Sequence, residues 1–491
     1  MTKRLREDPI ENHMYRIPES SVGPLYDDQE EFGKNLIHKL KDISFDLDRI
    51  GEFEAAAAIG DLVLRRMPDM QMSLGCARWY YELRKYKKSL KYLEFALNND
   101  PQNPEIRLNY ARVLYFDKQA DKSLEIMNEL VEEHPQLLDD DQICVDYSMF
   151  KSAVGDVKGS MECLDKLPSG SEEGAQFDFN RGWHYFSFDQ FKKGFQHIDR
   201  GRPLNVWGNF DVLEVEAKIS PNDIWKRGEK VDTIAYYLEG GVGDEFIFLR
   251  YVNYWKQYCN TLKIFCNKNI RDFLIECGYE NVYTRDEISF HYIDKVVPAM
   301  SAPLYGDFDT PKDHTTFPYL VRTPDKNSPA VKKMREIAGD KKKVIIKWAG
   351  NPDFEHEQFR VFPLEYLLEL EKLNDKIQIF HVQLEHNEGL PKNSSVYDLT
   401  EYIDDWRDTY DIFDEADIVI SSCTSTAHLA AAMGKRSCVI LPIVPYFCWA
   451  SDKDVWYEDN LTLCKQTKYG DEGWKEAIDK AINIVEEELC Q

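Results

Sequence analysis

Small and apolar residues recur through the first two hundred positions at a helical spacing that is itself repeated. Between Met70 and Asn103, one face carries Cys76, Ala77 and Tyr80, a second carries Ser89, Leu93 and Ala96, and Pro101 closes the unit. The next unit has Tyr110, Ala111 and Leu114, then Ser123, Met127 and Leu130, then Pro135. An earlier one has Ile43 and Leu47, then Gly51, Phe53, Ala56 and Val63, then Pro68. With Pro168, the four prolines are spaced by 33, 34 and 33 residues. The pattern predicts pairs of antiparallel helices. Small residues let the two helices approach, large ones fill the gap to the next pair, and proline stops the second helix. From about residue 230 the pattern changes. Short apolar runs at Thr233–Leu238, Leu262–Cys266, Val344–Trp348, Ile377–Val382, Asp417–Ser421 and Cys438–Pro442 predict buried strands. Helical patterns stand between them at Glu245–Tyr258, Ile270–Cys277 and Ser425–Met433. Such alternation predicts parallel sheets covered by helices on both faces.

A helix–turn–helix unit of this period is the tetratricopeptide pattern. A fourth unit, about 138–168, is shorter, and a fifth around Phe179 to Arg200 keeps Gly182, Tyr185, Phe191 and Gly194. Such an array can grip a peptide or protein in its groove, or serve as a rigid buttress; the spacing fits both. The expected organisation is a mobile arm over 1–27, repeats over 28–217, and two Rossmann-like blocks over 229–335 and 340–491, with a basic linker where they join. Two doubly wound domains facing each other place a ligand at the carboxyl ends of their strands.

Composition narrows the classes. Hydrophobic residues at 43% and aromatics at 13% support packed cores and exclude disorder for most of the chain. A net charge of −26 argues against general nucleic-acid binding, which needs clustered Lys and Arg. The stretch 301–350, with ten basic and six acidic side chains, is the local exception that leaves nucleic acid open. Eleven cysteines with no C-x-x-C pair read as reduced, buried thiols of a cytoplasmic protein. No apolar leader and no uncharged run of membrane-spanning length is present, the longest being Ile418 to Gly434.

Two motifs could carry chemistry. Gly240-Gly-Val-Gly-Asp244 lies between strand and helix, where glycines permit a tight turn and close approach of a ligand. Phe246 stands where a dinucleotide fingerprint needs its third glycine, so nicotinamide cofactors are not expected. Asp244 reads either as a base that takes a proton from an acceptor hydroxyl or as a helix cap. Ser421-Ser-Cys-Thr-Ser-Thr-Ala-His428 offers hydroxyls and N–H groups at a helix start that would attract a phosphate; Thr424 or Ser425 could equally be an ordinary cap. His428 reads as a packed helix residue or a ligand. Lys347 and Arg360 are candidates for diphosphate charges. No nucleophile elbow or H-E-x-x-H occurs, and His381 and His386 lack metal-ligand spacing.

Taken in order, several motifs resemble a family. They are Gly241-Val-Gly-Asp-Glu-Phe-Ile-Phe-Leu-Arg-Tyr, Met300-Ser-Ala-Pro-Leu, Trp348-Ala-Gly-Asn-Pro with Arg360 and Pro363-Leu364, and Val382-Gln-Leu. There follow Asp417 to Lys435, Leu441-Pro, Trp449 and Trp456-Tyr457. Over about 35–485 the chain resembles tetratricopeptide-repeat glycosyltransferases whose catalytic half is similar to heptosyltransferases and, more distantly, to protein O-linked N-acetylglucosamine transferases. The resemblance implies a GT-B fold and metal-independent, inverting transfer from a nucleotide-sugar, with no resident cofactor. It implies Asp244 as general base. It assigns the diphosphate or its sugar to Thr424, Ser425, Thr426 and His428, and charge neutralisation to Arg360. Trp348 to Asn351 and Trp449 would line the cleft, with Gly241, Gly243, Lys347, Gln383 and Cys423 also on the donor side. Cys423 departs from the family's Asp, which is expected to contact the donor sugar, and Lys347 departs from an apolar residue. A second reading follows from Cys423: a repeat-based scaffold that keeps the pocket without turnover.

Overall fold

A computed structural model describes residues 29–171, 174–208, 219–351, 357–384 and 389–490. The arm expected over 1–27 lies outside them, as does His386. The chain divides into two compact units, Met1–Asp117 and Lys118–Gln491.

The first unit is helical: α1 (Gln29–Arg49), α2 (Phe53–Leu64), α3 (Met70–Glu82), α4 (Tyr86–Asn99) and α5 (Pro104–Phe116) each pack on the next. The repeating positions Cys76, Ala77, Tyr80, Ser89, Leu93 and Ala96 are all buried. Ser89 is small enough to let α3 and α4 touch, and its hydroxyl donates to the Ala77 carbonyl at 2.6 Å, so its polarity is satisfied inside the pair. Asp69 caps α3 through the Met72 N–H at 2.7 Å and pairs with Lys41 at 2.8 Å. Asn103 caps α5, with Pro104 at the first helical position, where its missing N–H is harmless.

The second unit opens with α6 (Ala120–Glu133), α7 (Asp141–Ala153), α8 (Val157–Leu164), α9 (Ala175–Ser187) and α10 (Phe191–Ile198). The short fourth pair ends on a side chain of the fifth. Arg181 of α9, paired with Asp178 at 2.9 Å, donates to the carbonyls of Leu164, Leu167 and Pro168, groups that a helix end leaves without partners.

Two parallel sheets follow. β1 (Val231–Tyr237), β2 (Cys259–Cys266), β3 (Val282–Thr284) and β4 (Lys295–Pro298) are ordered β3-β2-β1-β4. β5 (Lys342–Lys347), β6 (Ile377–His381), β7 (Tyr397–Asp398), β8 (Ile418–Ser422), β9 (Ser437–Leu441) and β10 (Leu461–Lys465) are ordered β10-β9-β8-β5-β6-β7. All pairings between them are parallel. Their central residues are covered on both faces, which is why these strands read as unbroken apolar runs. Strand order reverses beside β1 in the first sheet and between β5 and β8 in the second. Such switch points open a crevice beyond the strand ends.

The helical pattern over Glu245–Tyr258 is a helix at Val242–Phe248 that continues as short turns to Tyr258. The basic stretch expected to be a linker contains the helix Pro329–Ala338, packed on β5, β6 and the helix Trp406–Glu415. Repeat helices of this unit also pack on the sheet region. Tyr469 accepts from the Ala120 N–H at 3.2 Å, Phe186 meets Phe447 at 5.3 Å, and Phe195 meets Trp456 at 6.2 Å. Beyond α10, buried Arg202 pairs with Glu239 through two contacts of 2.6 and 3.0 Å.

Candidate functional site

β1 hands the chain to a glycine turn before the helix Val242–Phe248. Gly240 has φ +70°, and a Cβ there would lie 2.6 Å from Asp244 Oδ2, so a side chain would be both strained and blocked. Asp244 sits in the first turn of that helix. Its Oδ2 accepts from the Gly241 N–H at 2.9 Å, and its Oδ1 accepts from the Tyr446 hydroxyl at 2.7 Å. The carboxylate therefore caps its own helix and also reaches the turn after β9. Burial raises its pKa, while Tyr446, the Gly241 N–H and Arg285 oppose the rise. A carboxylate lifted in this way takes a proton more readily than a solvated one, which is the property a general base uses.

The helix Val242–Phe248 packs on the helix Ser425–Ala432, which follows β8. A Cβ added to Gly243 would stand 3.3 Å from Ser425 Cα and 3.4 Å from His428 Cδ2, so glycine sets this approach. Thr424 is the N-cap residue of the second helix yet makes no capping hydrogen bond; its Oγ1 lies 3.3 Å from Ser421 Oγ. The Thr424 side chain thus leaves the first N–H groups of that helix uncapped. Arg360 donates from Nη1 to the Cys423 carbonyl at 2.8 Å, which brings a guanidinium to the same turn. Gly241, Gly243, Asp244, Arg360, Cys423, Thr424, Ser425 and Thr426 are accordingly gathered at one place, beyond the ends of β1 and β8.

Other candidates stand behind that place. Trp348 is 4% exposed, and the Gln383 amide oxygen accepts from the N–H groups of Trp348 at 3.2 Å and Ala349 at 3.0 Å, bracing the turn after β5. Trp449 is fully buried and stacks on His428 at 4.7 Å. His428 Nδ1 lies 2.9 Å from the Tyr457 hydroxyl and Nε2 lies 3.9 Å from Cys448 Sγ. Burial, reinforced by Arg250 and Arg360, pushes its pKa down to about 3. Of the residues expected to line the cleft or hold the donor, His428 is packed with both nitrogens facing Tyr457 and Cys448, while Trp348 and Trp449 are buried, the Trp449 Nε1 without a hydrogen-bond partner among the described residues. Lys347 is half-buried at the end of β5, in register with Ser421 of β8. Burial pushes the neighbouring His381 pKa down, and Lys347 adds to this. Asn351 is exposed beside residues that are not described.

Several cations of the basic stretch are paired. Arg335 meets Glu415 at 2.7 Å, Lys342 meets Asp417 at 3.1 Å, and Lys343 meets Glu415 at 3.4 Å. These pairs offset part of the local positive charge that phosphate contact would use. Among the described residues, no three His, Cys, Asp or Glu side chains are grouped to hold a metal ion, and no helix is long and apolar enough to cross a membrane.

Sequence reasoning missed Tyr446 and Arg285, which touch or face Asp244, and Arg250, whose buried guanidinium lies 4.6 Å from the Tyr457 ring. Tyr446 had a usable signal: Pro445-Tyr446-Phe447 lies in the turn that leaves β9, at a strand end where ligands gather.

Residues 80–143 match the tetratricopeptide-repeat family, so a repeat scaffold of that kind is part of this chain. No curated protein matches the sequence. Among solved structures, MamA 41-end from Desulfovibrio magneticus RS-1 is similar at 20% identity, covering 26% of this chain and 72% of its own, with a TM-score of 0.25. YrrB, described as a TPR protein with an unusual peptide-binding site, is similar at 18% identity, covering 34% of this chain and 84% of its own, with a TM-score of 0.28. Another MamA structure is similar at 12% identity, covering 38% and 98%, with a TM-score of 0.30.

Proposed function

We propose that this chain is an inverting, metal-independent glycosyltransferase of the GT-B kind. It moves a sugar from a nucleotide-sugar donor to a hydroxyl acceptor, a peptide, protein or glycan, that the repeats help to present. In this reading 229–335 is the acceptor-side domain and 340–491 holds the donor. The observation that supports it most is the contact between two helix starts at Gly243 and Ser425, with Asp244 on one side and Arg360 beside the other.

The donor diphosphate lies at Thr424 to Thr426, where first-turn N–H groups and the helix dipole favour negative charge. As the sugar C1–oxygen bond to the diphosphate breaks, charge grows on the leaving oxygen. Arg360 and those N–H groups stabilise it in place, without reorganising bulk water. The acceptor oxygen attacks C1 from the opposite face, and its proton passes to Asp244. A single displacement of this kind inverts the configuration.

Purified protein incubated with a panel of nucleotide-sugars should hydrolyse its donor slowly, and Asp244→Asn should abolish that hydrolysis. Binding without turnover of any donor would favour a repeat-based scaffold that keeps the pocket, the reading that Cys423 supports by replacing an acid.

A further inference from the structure

We propose that the fifth repeat holds the Asp244 carboxylate in its working position: Trp183 of α9 fixes Tyr446, and Tyr446 fixes Asp244. The proposal rests on the reading of Asp244 as the base. It assigns Tyr446 and Trp183 as positioning residues, and gives the repeat array a direct part in the chemistry.

The links are physical contacts. Trp183 meets the Tyr446 ring edge-on at 5.3 Å and 71°, and the Phe447 ring at 6.1 Å and 82°. Phe179, one turn earlier on α9, packs against Trp183 at 6.2 Å. Phe186 of the same helix and Trp207 beyond α10 grip Phe447 at 5.3 and 5.2 Å, so the turn that carries Tyr446 is held from the repeat side. The Tyr446 hydroxyl donates to Asp244 Oδ1, and the Gly241 N–H holds Oδ2. Donors on both oxygens hold the carboxylate in one orientation.

Other titratable and charged groups also face the carboxylate. Arg285 pairs with Glu245 and donates to the Gly240 carbonyl. Glu245 and Cys448 feel the Asp244 charge, and His428 is neutral beside Gly243. Tyr446 both hydrogen-bonds the carboxylate and meets an α9 side chain. Its hydroxyl favours the ionised carboxylate, so removing it makes Asp244 protonate at higher pH.

The test compares Tyr446→Phe, Trp183→Leu, the milder Trp183→Phe, and the Tyr446→Phe/Trp183→Leu pair. Two readouts are taken: the acidic limb of the pH profile for nucleotide-sugar hydrolysis, and the titration of the Asp244 carboxyl carbon by 13C NMR of aspartate-labelled protein, assigned with Asp244→Asn. Tyr446→Phe should move both to higher pH and lower kcat roughly tenfold, the loss expected of one hydrogen bond to a charged group, with KM for the donor little changed. Trp183→Leu should shift both the same way by less, Trp183→Phe by less again, and the paired variant should match Tyr446→Phe alone. A limb and carboxyl titration unmoved in Tyr446→Phe would overturn the proposal, as would a Trp183→Leu effect that persists in full without the Tyr446 hydroxyl. If the NMR titration shifts as stated but no nucleotide-sugar is turned over, the glycosyltransferase reading falls and the link from repeat to carboxylate stands.

Discussion

Two parts of the repeat array follow related spacing and meet different neighbours. In α1 to α5, the apolar positions are answered by the same kind of helix: Trp79, Cys76 and Met72 of α3 pack with Ala56, Ala57 and Val63 of α2. In α9 and α10, Phe186 and Phe195 share a core with Phe447 and Trp456 from the sheet region, and just beyond them Arg202 pairs with Glu239 at the end of β1. The repeat period encodes the contact within a helix pair. It does not encode the outer face, and there an aromatic side chain or a buried cation turns a spacer into a wall of another domain.

That contrast can be broken at its strongest point. Arg202 is 5% exposed and Glu239 is 1% exposed. Glu239→Ala removes the nearer carboxylate of the buried guanidinium, leaving Asp199 at 3.4 Å, and should destabilise the second unit by about 3 kcal/mol. Hydrogen exchange should rise along α9, α10 and β1 and stay unchanged over α1 to α4; an equal rise in both units would contradict the contrast.

Acid should sharpen it. In the second unit, burial holds the pKa of His184 down to about 4 and that of His428 down to about 3, against 6.5 for the free side chain. The unfolded chain takes protons that these buried rings refuse, so their contribution is full above pH 6.5 and is lost as pH falls toward 4. The loss is about 1.4 kcal/mol per pH unit for each histidine. His38 of the first unit is exposed. Glu245 of the second unit, pushed up to about 7 by burial, works the other way, taking a proton in the folded chain as pH falls below 7 and offsetting part of the loss. The test is therefore a difference: between pH 7 and 5, urea midpoints followed by peptide-resolved exchange should fall less in His184→Gln than in the unaltered chain, in peptides of the second unit.

The smallest effect belongs to the first unit. Ser89→Ala removes one buried hydrogen bond to the Ala77 carbonyl and should cost about 1 kcal/mol, confined to α3 and α4.

Much of the fold was legible because its signals are local. A small–large–proline repeat and unbroken apolar strands each declare themselves within one window. β3, β4, β7 and β10 did not: β3 and β7 have only three and two residues, and β4 and β10 mix Lys and Thr into short apolar runs. Of the candidate site, Asp244 and the Ser421 to His428 turn were legible as motifs that follow strands. That His428 and Trp449 would stack on each other was not, because the stack depends on Tyr457 and Cys448 arriving from elsewhere in the chain. Tyr446 and Trp183 meet Asp244 only through tertiary structure, and no spacing in the chain ties the three together.

The most direct measurement of the central claim is hydrogen exchange of the full chain with and without saturating nucleoside diphosphates, tried as UDP, GDP, ADP and CDP. One of them should slow exchange at Thr424 to Leu429 and at Gly241 to Phe246, because the helix start at Ser425 would hold the diphosphate and Gly243 lies against it. Protection confined to other parts of the chain, or no protection by any of the four, would contradict it.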